Sequence, residues 1–145
     1  MKFPEKLHYS ITSKWDQGTG GVASTGKFNI RFDTPEEFGG LEKSPCPDHL
    51  FLSSICGCLI NTFLSFKRRF NAETEDMSVK AEMSLSYDDK TGYRIDDIYV
   101  KFKIESSEVH LPMNRKCAEL AHKFCHITRS IDSIPINLDI ELIKI

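Results

Sequence analysis

A chain of 145 residues suits one domain, 1–145, and can bury roughly 70% of the surface its unfolded form exposes, so it needs no staple to fold. With 40% hydrophobic and 28% charged residues it is not a disordered chain, and a net charge of −2 with the signs mixed nominates no nucleic-acid partner. No uninterrupted apolar run approaches the ~20 residues of a membrane span. Met1-Lys2-Phe3-Pro4-Glu5-Lys6 lacks the apolar core of a signal peptide, so a cytoplasmic protein without a membrane partner is expected.

Leu7, Tyr9 and Ile11 alternate with polar residues and predict a half-buried strand, followed by a loop at Gln17-Gly18-Thr19-Gly20-Gly21. Phe28, Ile30 and Phe32 predict a second strand, and Glu36 to Cys46 a loop. From Pro47 to about Phe70 the period changes: Leu52, Ile55, Cys58, Leu59, Thr62, Phe63 and Phe66 recur at helical spacings. Pro47 suits a first helical position, Asp48 the positive end, and Lys67-Arg68-Arg69 the last turn. Because Phe51, Cys56 and Ile60 widen the apolar face, the prediction is a long central helix buried on much of its circumference. Val79 to Tyr87 and Ile98 to Ile104 alternate around a hairpin loop at Asp88-Asp89-Lys90-Thr91-Gly92. Pro112 opens a second helix with Met113, Cys117, Leu120, Ala121 and Phe124 on one stripe, and Ile136 to Leu142 close as a strand. The order β-β-α-β-β-α-β, rich in hairpins, predicts an α+β class with a mostly antiparallel sheet.

Five cysteines, Cys46, Cys56, Cys58, Cys117 and Cys125, are an odd number in a chain of ordinary size, which argues against a secreted disulfide framework. Cys56-Gly57-Cys58 has the outline of a metal motif, but residues two apart on a helix point about 200° away from each other. The histidines are scattered and no second ligand pair has metal spacing, so neither a metal nor a cofactor is expected. Cys58 and Cys125 lie on or beside apolar stripes of different helices and admit two readings: plain core residues, or an attacking thiolate with its resolving thiol. Cys56 and Cys117 fit the core reading, while Cys46, in a loop, is expected to be exposed.

The stretch from Phe38-Gly39-Gly40, through Pro47-Asp48-His49-Leu50-Phe51-Leu52, to Ser53-Ser54-Ile55-Cys56-Gly57-Cys58 resembles a hallmark of the OsmC/Ohr family. That hallmark is a Gly-Gly loop, Pro-Glu, a leucine-rich turn, small residues and a cysteine. Ala118 to Ile131, with Phe124-Cys125-His126-Ile127-Thr128, resembles the second hallmark, a helix ending in Cys-Pro-Val-Ser. The resemblance covers nearly the whole chain. It implies an OsmC-like α+β fold built as an intertwined homodimer, and a thiol-dependent peroxidase that reduces organic hydroperoxides. Cys58 matches the peroxidatic cysteine and Cys125 the resolving one, with reduction by a dithiol, lipoyl-type groups included. Asp48 stands where the family has the glutamate that holds an activating arginine.

Three departures mark this chain: Asp48 is one methylene shorter than glutamate, His126 replaces proline, and the 17–21 loop carries no arginine. They leave open an alternative, a non-catalytic dimeric binding module that keeps the fold and the cysteines. For the cation that would activate Cys58, the helix N-terminus and Arg69 are each about 16 Å away along the helix. Arg31 and Arg129 remain, and Arg31 is preferred because it lies in the N-terminal β region from which the family draws its arginine. His49 is either a substrate contact or a solvated first-turn residue, and Phe51, Ile55, Leu59 and Phe63 either favour an apolar peroxide or simply fill the core.

Overall fold

The computed structural model describes residues 3–145, which form two compact units, one ending at Leu50 and one running from Phe51 to Ile145. In the first, β1 (Thr12–Trp15), β2 (Gly20–Ser24) and β3 (Asn29–Asp33) make an antiparallel meander. The strand predicted at Leu7, Tyr9 and Ile11 is not there: these residues are exposed and unpaired with any strand, and pairing begins at Thr12. The physical reason is the length of the partner. β2 has five residues, and its last, Ser24, already lies opposite Thr12.

The glycine-rich stretch read as a loop supplies the start of β2. A side chain at Gly20 would come within 2.2 Å of the Phe32 carbonyl oxygen, so glycine serves close strand approach here rather than a turn. At the end of β3 the buried Asp33 carboxylate accepts hydrogen bonds from the Thr19 hydroxyl (2.6 Å) and from the N–H groups of Thr34 (2.8 Å) and Lys43 (2.9 Å). These donors, Thr19 foremost, hold its carboxyl below the usual carboxylate range.

Helix α1 spans Pro47–Arg69, within one residue of the predicted end. Asn71, at φ 52°, stops it, and the Ala72 N–H donates to the Lys67 carbonyl at 3.0 Å. The apolar residues of α1 predict burial around much of its circumference, with a partner subunit sharing the cover. Within one chain only Ile55, Cys58, Leu59 and Phe63 are buried, a single stripe at helical spacing. α1 is also long and apolar enough, by length and composition, to cross a membrane. No uninterrupted apolar run marks it, because residues such as Ser53, Gly57 and Asn61 interrupt the apolar ones without adding charge.

In the second unit β4 (Asp76–Asp88) and β5 (Gly92–Ser106) pair antiparallel. The Asp88 carboxylate accepts from the N–H groups of Lys90 and Thr91 and shapes the predicted turn. α2 (Leu111–Phe124) and the short α3 (His126–Ser130) then carry the chain back, so that β6 (Ile136–Lys144) returns parallel to β5. The class is therefore α+β as read, with this one parallel pairing in the otherwise antiparallel sheets.

Alternation on β5 turns Ile98, Val100, Phe102 and Ile104 into one apolar cluster with the buried stripe of α1 and with Cys117, Ala118 and Ala121 of α2. The Phe63 and Phe102 rings lie 6.1 Å apart at its centre. The opposite face is ionic, with Lys101 reaching Asp139 and Glu141 on β6. The face predicted from Val79 to Tyr87 is half-buried only as far as Met83. A register shift at Ser84/Leu85 follows, and Leu85 and Tyr87 are exposed.

Candidate active site

Cys58 sits in the middle of α1, on the buried stripe between Ile55 and Leu59. Cys125 sits at a corner. Its N–H still closes the last turn of α2, donating to the Ala121 carbonyl at 2.8 Å, but its backbone is extended, at φ −62° and ψ 113°. Its own carbonyl then accepts from the Arg129 N–H (3.1 Å) and the Thr128 hydroxyl (3.2 Å), which starts α3 in a new direction. The corner brings the Cys125 sulfur to 2.8 Å from that of Cys58. Both thiols are free, and the separation exceeds the roughly 2.05 Å of a disulfide by less than 1 Å. Cys125 is fully buried and Cys58 is 8% exposed.

Burial pushes the Cys58 thiol above its ordinary range, and the adjoining Cys125 thiol pushes the same way. The Ile127 N–H and the Thr62 hydroxyl act in the opposite direction; the latter donates to the Cys58 carbonyl at 2.8 Å. None of these groups is a cation. One further group touches the sulfur: Nδ1 of His126, the first residue of α3, lies 3.7 Å from Cys58 Sγ, and the His126 side chain is exposed.

The remaining predicted residues fall elsewhere. Asp48 is exposed in the first turn of α1, and Arg31 is exposed on β3 opposite Val22. Among the described residues no ion pair joins Asp48 to Arg31 within one chain. Arg129 does not continue α2, because the helix breaks at Cys125; it lines a cleft of about 340 Å³ with His122, Lys123, Thr128 and Asp132. Cys117 is fully buried in the core, and burial raises its thiol, as it does that of the half-buried Cys56. Cys46, expected to be exposed, is 9% exposed, and its sulfur lies 3.2 Å from Nδ1 of the exposed His49. Sequence reasoning noted His126 only as a substitution for proline. Its place directly after Cys125 was the available signal, but its reach to Cys58 depends on the corner in the backbone.

The family model for OsmC-like proteins matches residues 40–141, which take in α1, β4, β5, most of β6, and both Cys58 and Cys125. The chain belongs to the OsmC-like family. No curated protein matches its sequence. Among solved structures, an OsmC-like protein from Mycoplasma pneumoniae is 17% identical at a TM-score of 0.80, covering 94% of this chain and 98% of that one. An organic hydroperoxide resistance protein OsmC from Legionella pneumophila is 19% identical at 0.74, covering 94% and 99%. A putative organic hydroperoxide resistance protein from Vibrio cholerae, with captopril bound in one of its active sites, is 18% identical at 0.71, covering 95% and 94%. These likenesses establish the OsmC-like fold.

Proposed function

We propose that this OsmC-like protein is a thiol-dependent peroxidase that reduces organic hydroperoxides through Cys58 and Cys125. The observation that carries the reading is the 2.8 Å separation of their sulfurs, one thiol in the middle of α1 and the other at the corner between α2 and α3, less than 1 Å beyond bonding distance. Two other buried thiols, Cys46 and Cys117, have no such partner sulfur among the described residues. In the proposed cycle the Cys58 thiolate attacks the distal peroxide oxygen. A sulfur–oxygen bond forms, the O–O bond breaks, and an alcohol leaves while Cys58 becomes a sulfenic acid. The Cys125 thiol then displaces water, giving a Cys58–Cys125 disulfide. An external dithiol, of lipoyl type or similar, reduces that bridge by two electrons and is itself oxidised to a disulfide. The Legionella and Vibrio relatives, described as organic hydroperoxide resistance proteins, support the substrate class. A reducing compartment such as the cytoplasm is the proposed location.

The proposal includes a homodimer. Ile60 and Leu64 line up with Gly57 on the face of α1 away from its buried stripe, and a side chain built at Gly57 would meet nothing within 4 Å. A second copy of the chain is the proposed cover. In that assembly Arg31 and Asp48 are the proposed cation and its carboxylate partner, which the single chain does not pair.

The test is thiol counting. One equivalent of an organic hydroperoxide is expected to consume two thiols per chain, recoverable with a dithiol, and peptide mapping is expected to find Cys58 joined to Cys125. A second reading rests on the buried, upward-shifted Cys58 thiol, which also suits a non-catalytic dimeric binding module. Slow thiol loss spread over several cysteines supports that module and refutes the peroxidase.

A further inference from the structure

We propose that His126 is a catalytic residue of this site, the base that takes the Cys58 thiol proton and returns it to the leaving alkoxide. The inference rests on the peroxidase reading above and adds to it a residue outside the thiol pair.

Cys58 must react as a thiolate, yet it is held in an apolar cluster between Ile55 and Leu59 of α1 and beside the buried Cys125. Of the groups around it, the Ile127 N–H and the Thr62 hydroxyl favour the thiolate, but neither can take its proton. β5 turns Ile98, Val100, Phe102 and Ile104 toward the same cluster, and α2 adds Cys117. Cys56, two residues before Cys58, lies on another face of α1. α1 adds the Thr62 hydroxyl, which is engaged by the Cys58 carbonyl. His122 on α2 is half-buried, and its Nδ1 has no hydrogen-bond partner among the described residues. Among the described residues, the titratable groups in contact with the Cys58 sulfur are therefore Cys125 and His126.

Of these two, only the imidazole can accept the proton and hold it as a cation beside the sulfur. Nδ1 lies 3.7 Å from Sγ, within the range of a hydrogen bond to sulfur, and the ring is exposed, so protons exchange with water between turnovers. The corner at Cys125 creates both contacts. The residue that ends α2 delivers its sulfur to Cys58, and the next residue delivers its ring to the same atom.

In the step itself the S–H bond of Cys58 breaks and its proton moves to Nδ1. The sulfur lone pair forms the S–O bond as O–O cleaves, and the imidazolium returns the proton to the alkoxide, releasing ROH. The peroxide keeps its own hydrogen on the distal oxygen, which ends as Cys58–SOH, and the imidazole finishes neutral. Sulfur is oxidised by two electrons and the peroxide reduced by two.

The experiment follows the pH dependence of peroxide-driven thiol loss, under single turnover, in the wild type and in His126→Ala. In the wild type the rate should fall in acid, where the base is no longer available, and level off at higher pH. In His126→Ala that plateau should be replaced by a rise of about tenfold per pH unit, and the rate at pH 7 should drop about 100-fold, the low end for a positioned acid–base group. Added imidazole should restore part of the lost rate. Circular dichroism of the variant guards against misfolding, and His126→Gln serves as a second variant with the same expectation. If the wild type loses two thiols to peroxide and both variants keep its plateau and rate, this proposal is overturned and the peroxidase reading stands. If the wild type does not react with hydroperoxide at all, both fall.

Discussion

The two sulfurs at 2.8 Å divide the work of single-residue variants. Cys58→Ser is expected to abolish peroxide consumption. Cys125→Ser is expected to allow one event and then leave Cys58 as sulfenic acid, or further oxidised, which mass spectrometry reads as additions of oxygen. A contrasting variant probes packing alone: Phe63→Ala empties the centre of the core cluster, against Phe102, and is expected to cost about 3–5 kcal/mol in urea unfolding. At this scale the sequence was legible where type and motif coincide. Cys58 and Cys125 stood out through the resemblance, and Cys117 through its stripe of apolar neighbours. Cys46 was not legible, because its burial depends on how the segment before α1 folds back. His126 was visible only as an oddity, since a contact with a residue 68 positions away is a property of the backbone path.

Among the elements, α2 carries a titration that should appear in stability. His122 has its Nδ1 buried without a partner, and burial lowers the pKa of the ring. Its proton is therefore held more tightly by the unfolded chain than by the folded one. Stability should be full above about pH 6.5 and decline as the pH falls below it. Urea midpoints at pH 7.5 and 5.5 should differ accordingly, and His122→Gln should shrink the difference. The Asp33 carboxylate has a separate window. With its pKa lowered by its donors, its contribution persists above about pH 3.9 and is lost only in stronger acid.

Elements with long uninterrupted periods were readable from the chain: α1, the β4–β5 hairpin, α2 and β6. The N-terminal strands were less so. Leu7, Tyr9 and Ile11 alternate as well as any strand, but alternation describes a face and not a partner, and the five-residue β2 has no residues left to pair with them. Conversely Gly20 reads as a turn residue until the Phe32 carbonyl is seen beside it. The direction of β6 was likewise invisible to periodicity, which is the same for parallel and antiparallel strands.

For the whole molecule, α1 presents the main expectation. Its buried stripe accounts for four residues, while the open face through Gly57, Ile60 and Leu64 carries no charge. That face, half-buried at Gly57 and Ile60 and exposed at Leu64, is the proposed interface. Sedimentation at micromolar concentration is expected to give about 33 kDa, twice the 16.6 kDa chain. Gly57→Leu should move the population toward 16.6 kDa by placing a side chain where the partner approaches. A wild type that sediments at chain mass, folded, refutes the dimer.

The parallel pairing of β6 with β5 also has a consequence in time. Ile98 lies opposite Ile136, so the two strands cannot join until α2 and α3 have been synthesised between them. Such distant closure is the slow part of folding. A nascent chain therefore exposes Cys58 well before Cys125 is held in place beside it. During that interval its first thiol meets oxidants without its second, and any damage is set by how quickly the last strand docks.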